Sequence, residues 1–458
     1  MSLSLDTSTL FSGQGIDVTS IVNQLVAAAR QPETAWQQQQ QDLQSQEGAL
    51  NQLNSDLSAL LDKINSLKDI SGAAGAVTTS SSDSSVATAQ AGAGTAPGTH
   101  VLVVSSLATT SSYYSDPVAS SSTALSAGSF DLQVGSGTPT TITINSGDTL
   151  SSLASEINGM NLGVTANVVT DANGARLSLV AQNSGAASDI TISNDSSGLN
   201  FTKAVTGTNA SLTVDGVPIS SASNSVSGVV PGITFNLVGA APSEQVTVGV
   251  AADTASAIQG VTDFVSAYNT VIQDLNAQFT YNSGTQTSGP LSGDTMARMV
   301  QQEVLGFATS TVSGAGSLSS LASLGISMND DGTLSVDSSQ LAGVAGSDWQ
   351  DFQNFFQSAS GYGATVSNQL AQLTDPTEGA FYVDLQNDQT TYNSLQQQID
   401  DLETYIASEE QTWLDQYNQI NVTLQELPLL QAQINAELGV VSNNGSSTSS
   451  NSSSGSNG

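Results

Sequence analysis

Between Trp36 and Leu67 the apolar residues recur at intervals of three and four. Trp36, Leu43, Leu50, Leu57 and Ile64 are spaced by seven, and Leu53, Leu60 and Leu67 fill the intervening position. This pattern predicts a helix of about nine turns with one continuous apolar seam. Near the other end, Tyr392, Leu395, Ile399, Leu402, Ile406 and Trp413 keep the same spacing, which shifts near Tyr417 and resumes through Ile420, Leu424 and Leu427. Two such seams predict an antiparallel pair that closes the chain on itself, although the same heptads also suit an ordinary bundle. In that register Pro32 and Pro428 would lie at one level and form a hinge. Beyond the prolines, Ile21, Val22, Leu25 and Val26 on one side and Leu430, Ile434 and Leu438 on the other make short outer amphipathic segments. Having no inner partner, they are expected to pair when another subunit completes them.

Between the two seams the period falls to two. Strands are predicted at 100–104, 130–134, 141–144, 164–169, 176–180, 190–192, 211–214, 233–238 and 245–250, with an amphipathic helix at 149–160 and turns at Asn173-Gly174 and Asp215-Gly216. The Ser/Ala/Gly-rich stretch 71–98 reads as linker or weak edge strand. From Asp253 the period is helical again, through Ile258, Val261, Val265, Tyr268, Ile272, Leu275 and Phe279, and a hairpin is expected around Asp331-Gly332.

The fold class that follows is a multidomain α+β chain, with a coiled-coil-like helical domain built from both termini and inserted β-rich head domains. The expected segments are a flexible tail and outer helix at 1–31, the N-terminal long helix at 32–75 and an inner β domain at 76–112 and 206–252. An outer α+β head module is expected at 113–205, the helical stalk at 253–427, and an outer helix with a Ser/Asn-rich disordered tail at 428–458.

Charge narrows the function. Six Lys plus Arg against forty Asp plus Glu give a net charge of −34. Arg30, Lys63, Lys68, Arg176, Lys203 and Arg298 are scattered singly, so no basic stripe follows a phosphate backbone and an anionic membrane surface repels the chain. Nucleic acid and membrane insertion are therefore not expected. With no Cys, thiolate metal sites, disulfides and thiol nucleophiles are excluded. The opening MSLSLDTSTLFSGQG has neither a basic n-region nor an apolar h-region, and the hydroxyl-rich composition suits an extracellular protein exported without a cleavable signal.

Candidate chemistry is sparse. Asn329-Asp330-Asp331-Gly332 invites a calcium loop, but the twelve-residue pattern places Ser327 at its first ligand and Ser338 where a bidentate Glu belongs, so a hairpin turn is the better reading. Asp400-Asp401 and Glu409-Glu410 fall on the long helix, where a solvated face outweighs a glycosidase cleft. His100 opens an apolar strand without a recognisable Ser or Asp partner and reads as an edge-strand residue. No catalytic, cofactor-binding or metal residue is assigned, and no cofactor is expected.

The segment Gly15-Ile16-Asp17-Val18-Thr19-Ser20-Ile21-Val22-Asn23-Gln24-Leu25-Val26 resembles the N-terminal signature of the flagellar filament cap family, hook-associated protein 2. Ala96-Pro97-Gly98-Thr99 leading into Val101-Leu102-Val103-Val104 resembles that family's first β-domain strand, and 142–179 is similar to a small module shared with flagellins. Leu212-Thr213-Val214-Asp215-Gly216, Pro231-Gly232-Ile233, Gly289-Pro290-Leu291 and Asp331-Gly332-Thr333-Leu334 continue the likeness in order. The resemblance implies a non-enzymatic ring of several copies at an extracellular filament tip. Its partners would be further copies of itself, flagellin and the filament-tip subunits, and an export chaperone, with Ile21, Val22, Leu25, Val26, Leu430, Ile434 and Leu438 at the filament or oligomer contact. A flagellin-like filament subunit and a secreted adhesin or glycan-acting protein are the alternatives.

Overall fold

The computed structural model describes residues 16–284 and 287–437. Helix α1 (Val18–Ala29) is capped by Asp17, whose carboxylate accepts the Ser20 N–H at 3.0 Å. Helix α2 (Gln31–Lys68) follows at once, with Pro32 in its first turn, where a missing N–H costs no helical bond. Then come β1 (Val77–Ser81), β2 (Ala87–Ala91), β3 (Gly98–Ser106), β4 (Ser112–Tyr114), β5 (Gly128–Val134) and β6 (Thr140–Ile144). Helix α3 (Leu150–Gly159) starts at a capping box in which Thr149 and Ser152 satisfy each other's backbone N–H.

The β region continues through β7 (Val164–Asp171), β8 (Gly174–Ala181), β9 (Ile190–Ser193), β10 (Thr202–Val205), β11 (Ala210–Val214), β12 (Val217–Ser221), β13 (Ser225–Val230), β14 (Ile233–Leu237) and β15 (Val246–Ala252). After α4 (Thr254–Phe279) lie the short hairpin β16 (Tyr281–Asn282) and β17 (Thr287–Ser288), α5 (Thr295–Thr309), the hairpin β18 (Ile326–Met328) and β19 (Leu334–Val336), α6 (Ser338–Ser347), α7 (Trp349–Gln357), α8 (Tyr362–Leu373) and α9 (Ala380–Glu437).

The chain divides into two compact units, one from 1–54, 277–297 and 375–458, the other from 55–276 and 298–374. In the first, α9 runs antiparallel to α2 and α1. Gln40 Nε2 donates to Gln396 Oε1 at 3.1 Å, Gln44 Nε2 to the Tyr392 hydroxyl at 3.2 Å, Arg30 reaches Glu403 at 3.4 Å, and the Ile16 N–H donates to Asn421 Oδ1 at 2.8 Å. Leu50 and Leu53 on α2 and Phe381, Leu395, Ile399 and Ile406 on α9 are buried in this unit.

In the second unit the remainder of the α2 seam, Leu57, Leu60, Ile64 and Leu67, is fully buried. Its surroundings are α4 and α8: Lys63 pairs with Asp263 at 3.2 Å, Ser367 Oγ donates to Asn65 at 2.8 Å, and a Cβ at Gly260 would meet Leu67 at 3.1 Å. Phe264, Phe355, Phe356 and Tyr362 stack edge and face beside them, with the Tyr362 hydroxyl donating to the Phe307 carbonyl at 3.1 Å. The β18–β19 hairpin is pinned to α4 by Asn269, whose side-chain amide exchanges two hydrogen bonds with the Leu334 backbone at 2.6 and 2.9 Å. Gly332 is required in its turn: φ is +85° and a Cβ would meet Leu305 at 2.7 Å.

Two β modules complete this unit. A five-stranded sheet, β1-β15-β3-β11-β12, and a three-stranded sheet, β13-β14-β2, share a core that includes Leu102, Val104, Leu212, Phe235 and Val248. Inserted between β3 and β11, the sheets β10-β4-β8-β7 and β6-β5-β9 enclose, with α3, a second core around Phe130, Ile142, Leu153, Ile157 and Leu177. The Asn224 amide holds the Ala108 backbone by two bonds of 2.7 and 3.0 Å where the inserted module begins.

Three expectations are corrected. The two inner seams do not pair end to end. Register contacts place Gln40 beside Gln396, so only the first half of the α2 seam meets α9, while Leu57 to Leu67 packs within the second unit. The reason is that α9 starts at Ala380, leaving no turn of it opposite the end of α2 in this register. Pro428 does not interrupt α9, which runs 58 residues through it. A proline removes one bond and strains the preceding turn, and strong helix formers on both sides carry the helix on. The outer segment 18–29 packs on α9 of the same chain, with Val18 and Val22 buried. The stretch 71–98, read as linker or weak edge strand, does hold two edge strands, β1 and β2, whose Thr79 and Ser81 hydroxyls donate to the Ala89 and Ala87 carbonyls at 2.8 and 2.7 Å.

A test separates the two ends of the predicted seams. Leu57→Ala is expected to cost about 2–5 kcal/mol in urea unfolding, as a truncation in a closed core. Leu427→Ala, on the exposed side of α9, is expected to fall within about 0.5 kcal/mol. Equal losses at the two positions would contradict the packing.

Candidate assembly surfaces of the helical unit

The candidate site is a set of helix faces rather than a pocket. Along α2, Trp36 and Leu43 are half-buried, whereas Leu50 and Leu53 are closed off. Along α9, Leu395, Ile399 and Ile406 are buried and Tyr392, Leu402 and Trp413 half-buried, so the face set by three-four spacing is one continuous packed face. Gln40 is buried on the same α2 face and donates across to α9, a polar contact that heptad reading passes over because its only sequence signal is a Gln between apolar neighbours.

The outer residues divide. On α1, Val22 is buried, while Ile21, Leu25 and Val26 keep part of their surface open. On α9, Leu430 is 54% and Ile434 46% exposed, and Leu429 at 72% and Val422 at 56% add to the same uncovered end. Val422 and Leu429 were missed because they fall off the three-four spacing. Leu438 lies outside the described residues. The Ile16–Asn421 and Arg30–Glu403 contacts bracket the part of α9 that runs beside α1, and from Val422 onward α9 extends past the described start of the chain. Exposed aliphatic side chains on successive turns are what a docking helix needs.

Carboxylates crowd one level of this unit. Asp294 Oδ1 caps α5, accepting the Met296 and Ala297 N–H groups at 2.7 and 3.0 Å. Asp384 and Asp388 on α9 and Glu47 on α2 belong to the same acidic neighbourhood. Burial, and then Asp294 and Asp388, hold the Asp384 carboxyl above its usual range, and its Oδ2 is buried without a hydrogen-bond partner. Burial, then Asp294 and Glu47, raise Asp388 likewise. No group of three His, Asp or Glu among the described residues is placed to hold a metal ion.

His100 does have a partner. Its Nδ1 lies 2.8 Å from Asp215 Oδ2, and Asp215 Oδ1 accepts the Val101 N–H at 2.9 Å. Asp215 sits in the β11–β12 turn at φ +51°, and the His100 hydrogen bond, followed by that of Val101, lowers its carboxyl below the usual range. β3 is flanked by β15 and β11, so His100 is not on an edge strand. The pair ties the β11–β12 turn to β3. The Asp215-Gly216 turn was legible, but its approach to residue 100 depends on sheet order. Asp331 accepts the Thr333 N–H and hydroxyl at 2.9 and 2.6 Å, which makes the Asp-Asp-Gly stretch a turn rather than a calcium loop. No described helix is long and apolar enough to cross a membrane.

Packed terminal helices, inserted β modules and uncovered helical ends define an assembly protein. Models of the flagellar hook-associated protein 2 N-terminus and C-terminus match residues 14–111 and 207–428, and the flagellin hook IN motif matches 129–183. The chain is 27% identical over 395 residues to the B-type flagellar hook-associated protein 2 of Pseudomonas aeruginosa PAO1, covering 79% of this chain and 82% of that one. It is 24% identical over 461 residues to the A-type protein of Pseudomonas aeruginosa, covering 92% and 95%. The D1-D2-D3 domains of the flagellar cap protein FliD from Escherichia coli share the fold, with a TM-score of 0.61 and 24% identity over 74% of this chain and 99% of that one. The two terminal models together span more than half the sequence, and the chain belongs to the flagellar hook-associated protein 2 family.

The raised carboxyls make the helical unit sensitive to acid in a stated direction. A carboxyl whose folded pKa exceeds its unfolded value binds its proton more tightly when folded, so its ionised form destabilises at neutral pH and that penalty is relieved as pH falls through the raised pKa. Asp388→Asn is therefore expected to raise the urea midpoint at pH 7, with a gain that shrinks as pH falls through the raised pKa and the native carboxyl takes up its proton. A variant less stable than the parent at pH 7 would refute this.

Proposed function

We propose that this chain caps the distal end of a flagellar filament as a ring of several copies and guides exported flagellin into place beneath it. The protein works outside the cell by binding and release rather than by chemistry. The observation that carries this reading is the match of both terminal family models, joined to a helical unit whose α9 leaves Val422, Leu429, Leu430 and Ile434 uncovered. In the assembled cap these side chains, with the open edges of Ile21, Leu25 and Val26, bury against filament-tip subunits. Before assembly the same end of α9 suits an export chaperone that shields an apolar helix. Weak helix-to-helix contacts of this kind can be exchanged as each new subunit arrives without unfolding the rest of the chain.

A flagellin-like filament subunit is the second reading, favoured only by the flagellin hook IN motif in the inserted module. The β18–β19 hairpin instead falls within the hook-associated protein 2 match.

Deletion of the gene should leave short or absent filaments and release unpolymerised flagellin into the medium. Leu25→Asp with Val26→Asp should keep the β modules folded by circular dichroism yet fail to restore filaments. Normal filaments and motility in the deletion strain, with no second cap gene present, would remove the assignment. Long fibres grown from the purified protein alone would move it to the filament-subunit class.

A further inference from the structure

We propose that association of copies of this chain is gated by electrostatic screening, so that a ring forms only where ionic strength is high enough to collapse the field of its helical unit. The inference rests on the reading that the protein works as a multi-copy ring, and concerns what regulates that assembly.

The six cations of the chain are already engaged. Arg30 lies 3.1 Å from Glu33 and 3.4 Å from Glu403, Lys63 is paired with Asp263, and Lys68 donates to Ser367 at 3.1 Å with Asp69 at 3.9 Å. Arg176 meets Asp171 at 3.6 Å and Lys203 meets Asp189 at 2.7 Å, and Arg298 has its own interaction. A second copy approaching the first therefore brings no uncommitted cation to form an interface ion pair.

The imbalance is most severe in the unit that carries the candidate contacts. Its described residues hold 17 Asp or Glu and a single cation, Arg30. Along α9, Asp401, Glu409 and Glu410 stand outside the ion pairs above, interleaved with the packed positions Leu402, Ile406 and Trp413. Bringing such helices side by side sets rows of like charge about 10 Å apart, the diameter of a helix with its side chains. The screening length is about 30 Å at 0.01 M salt, about 10 Å at 0.1 M and about 3 Å at 1 M, so the repulsion between neighbouring copies spans the contact at low salt and is confined to touching groups at high salt. Apolar burial at the helix faces varies far less over this range, and salt decides which of the two prevails. On this proposal the screening is diffuse, so sodium and magnesium act through ionic strength alone.

The test is sedimentation velocity of the full chain at pH 7.5 in sodium chloride from about 20 mM to about 500 mM, a range over which the screening length falls from above to below the helix spacing. The association constant is expected to rise by roughly tenfold or more, magnesium chloride at matched ionic strength should follow the same curve, and Asp401→Asn with Glu409→Gln and Glu410→Gln should move the transition to lower salt and flatten it. The flattening separates screening from any strengthening of apolar contacts by salt, which the neutralised variant would share in full. Discrete oligomers of equal affinity at every salt would overturn the screening inference while leaving the ring reading intact. A magnesium effect well above that of sodium at equal ionic strength would replace it with bridged carboxylates. A chain that stays monomeric under every condition would overturn the ring reading together with the inference.

Discussion

The packing of α9 along α2 and α1 is the constraint on which the terminal unit depends. A 58-residue helix with one apolar face cannot stand alone in water, and most of its stability has to come from what covers that face. The antiparallel partner supplies the cover, and the Gln40–Gln396, Gln44–Tyr392 and Arg30–Glu403 contacts choose one register from several that the heptads alone would allow. Of these partners only Gln40 is buried, so a slipped alignment would leave its amide unmatched, while the exposed Gln44–Tyr392 and Arg30–Glu403 pairs contribute little. The described terminal helices α1 and α9 are thereby held in one unit with the start of α2, and the β modules follow in sequence between α2 and α4.

That arrangement separates two demands on the same sequence. The second unit is closed by aromatic stacking, by complete burial of Leu57, Leu60, Ile64 and Leu67, and by side-chain amides of Asn224 and Asn269 that stand in for peptide groups at Ala108 and Leu334. Such fully matched contacts favour a single rigid state. The far part of α9 has none of them, and Val422, Leu427, Leu429, Leu430 and Ile434 are solvent-facing. A cap that stays attached while subunits enter beneath it needs both properties. The closed core of the second unit keeps its shape, while few buried contacts at the far end of α9 leave that end the lower in local stability.

The elements with strong periodicity were legible from sequence. The heptads marked both long helices, an apolar run marked β3, apolar-polar alternation marked β7, β8 and β11, and the Asp-Gly and Asn-Gly pairs marked their turns. What could not be read was anything decided between distant segments. His100 and Asp215 are separated by 115 positions and meet because β3 and β11 are neighbours in a sheet, an order that local pattern does not encode. Residues 77–91 carry small hydroxylated and alanine side chains on both faces, so no alternation announces β1 and β2. The seam of α2 is uniform in sequence yet serves two units. Heptad spacing reports that a face is buried and says nothing about whether α9 or α4 buries it.

Pro428 shows how the two kinds of information combine. Local chemistry says that a helix should weaken there, and α9 continues, with one bond missing and its neighbours exposed. A helix that keeps its direction past a weakened turn, and presents Leu429, Leu430 and Ile434 beyond it, can flex at one point without losing the apolar surface it carries. Interior packing would have forced that turn to straighten or break. Because the surrounding side chains face solvent, a change at that turn disturbs no packed core, and Leu395, Ile399 and Ile406 stay buried in the unit behind it.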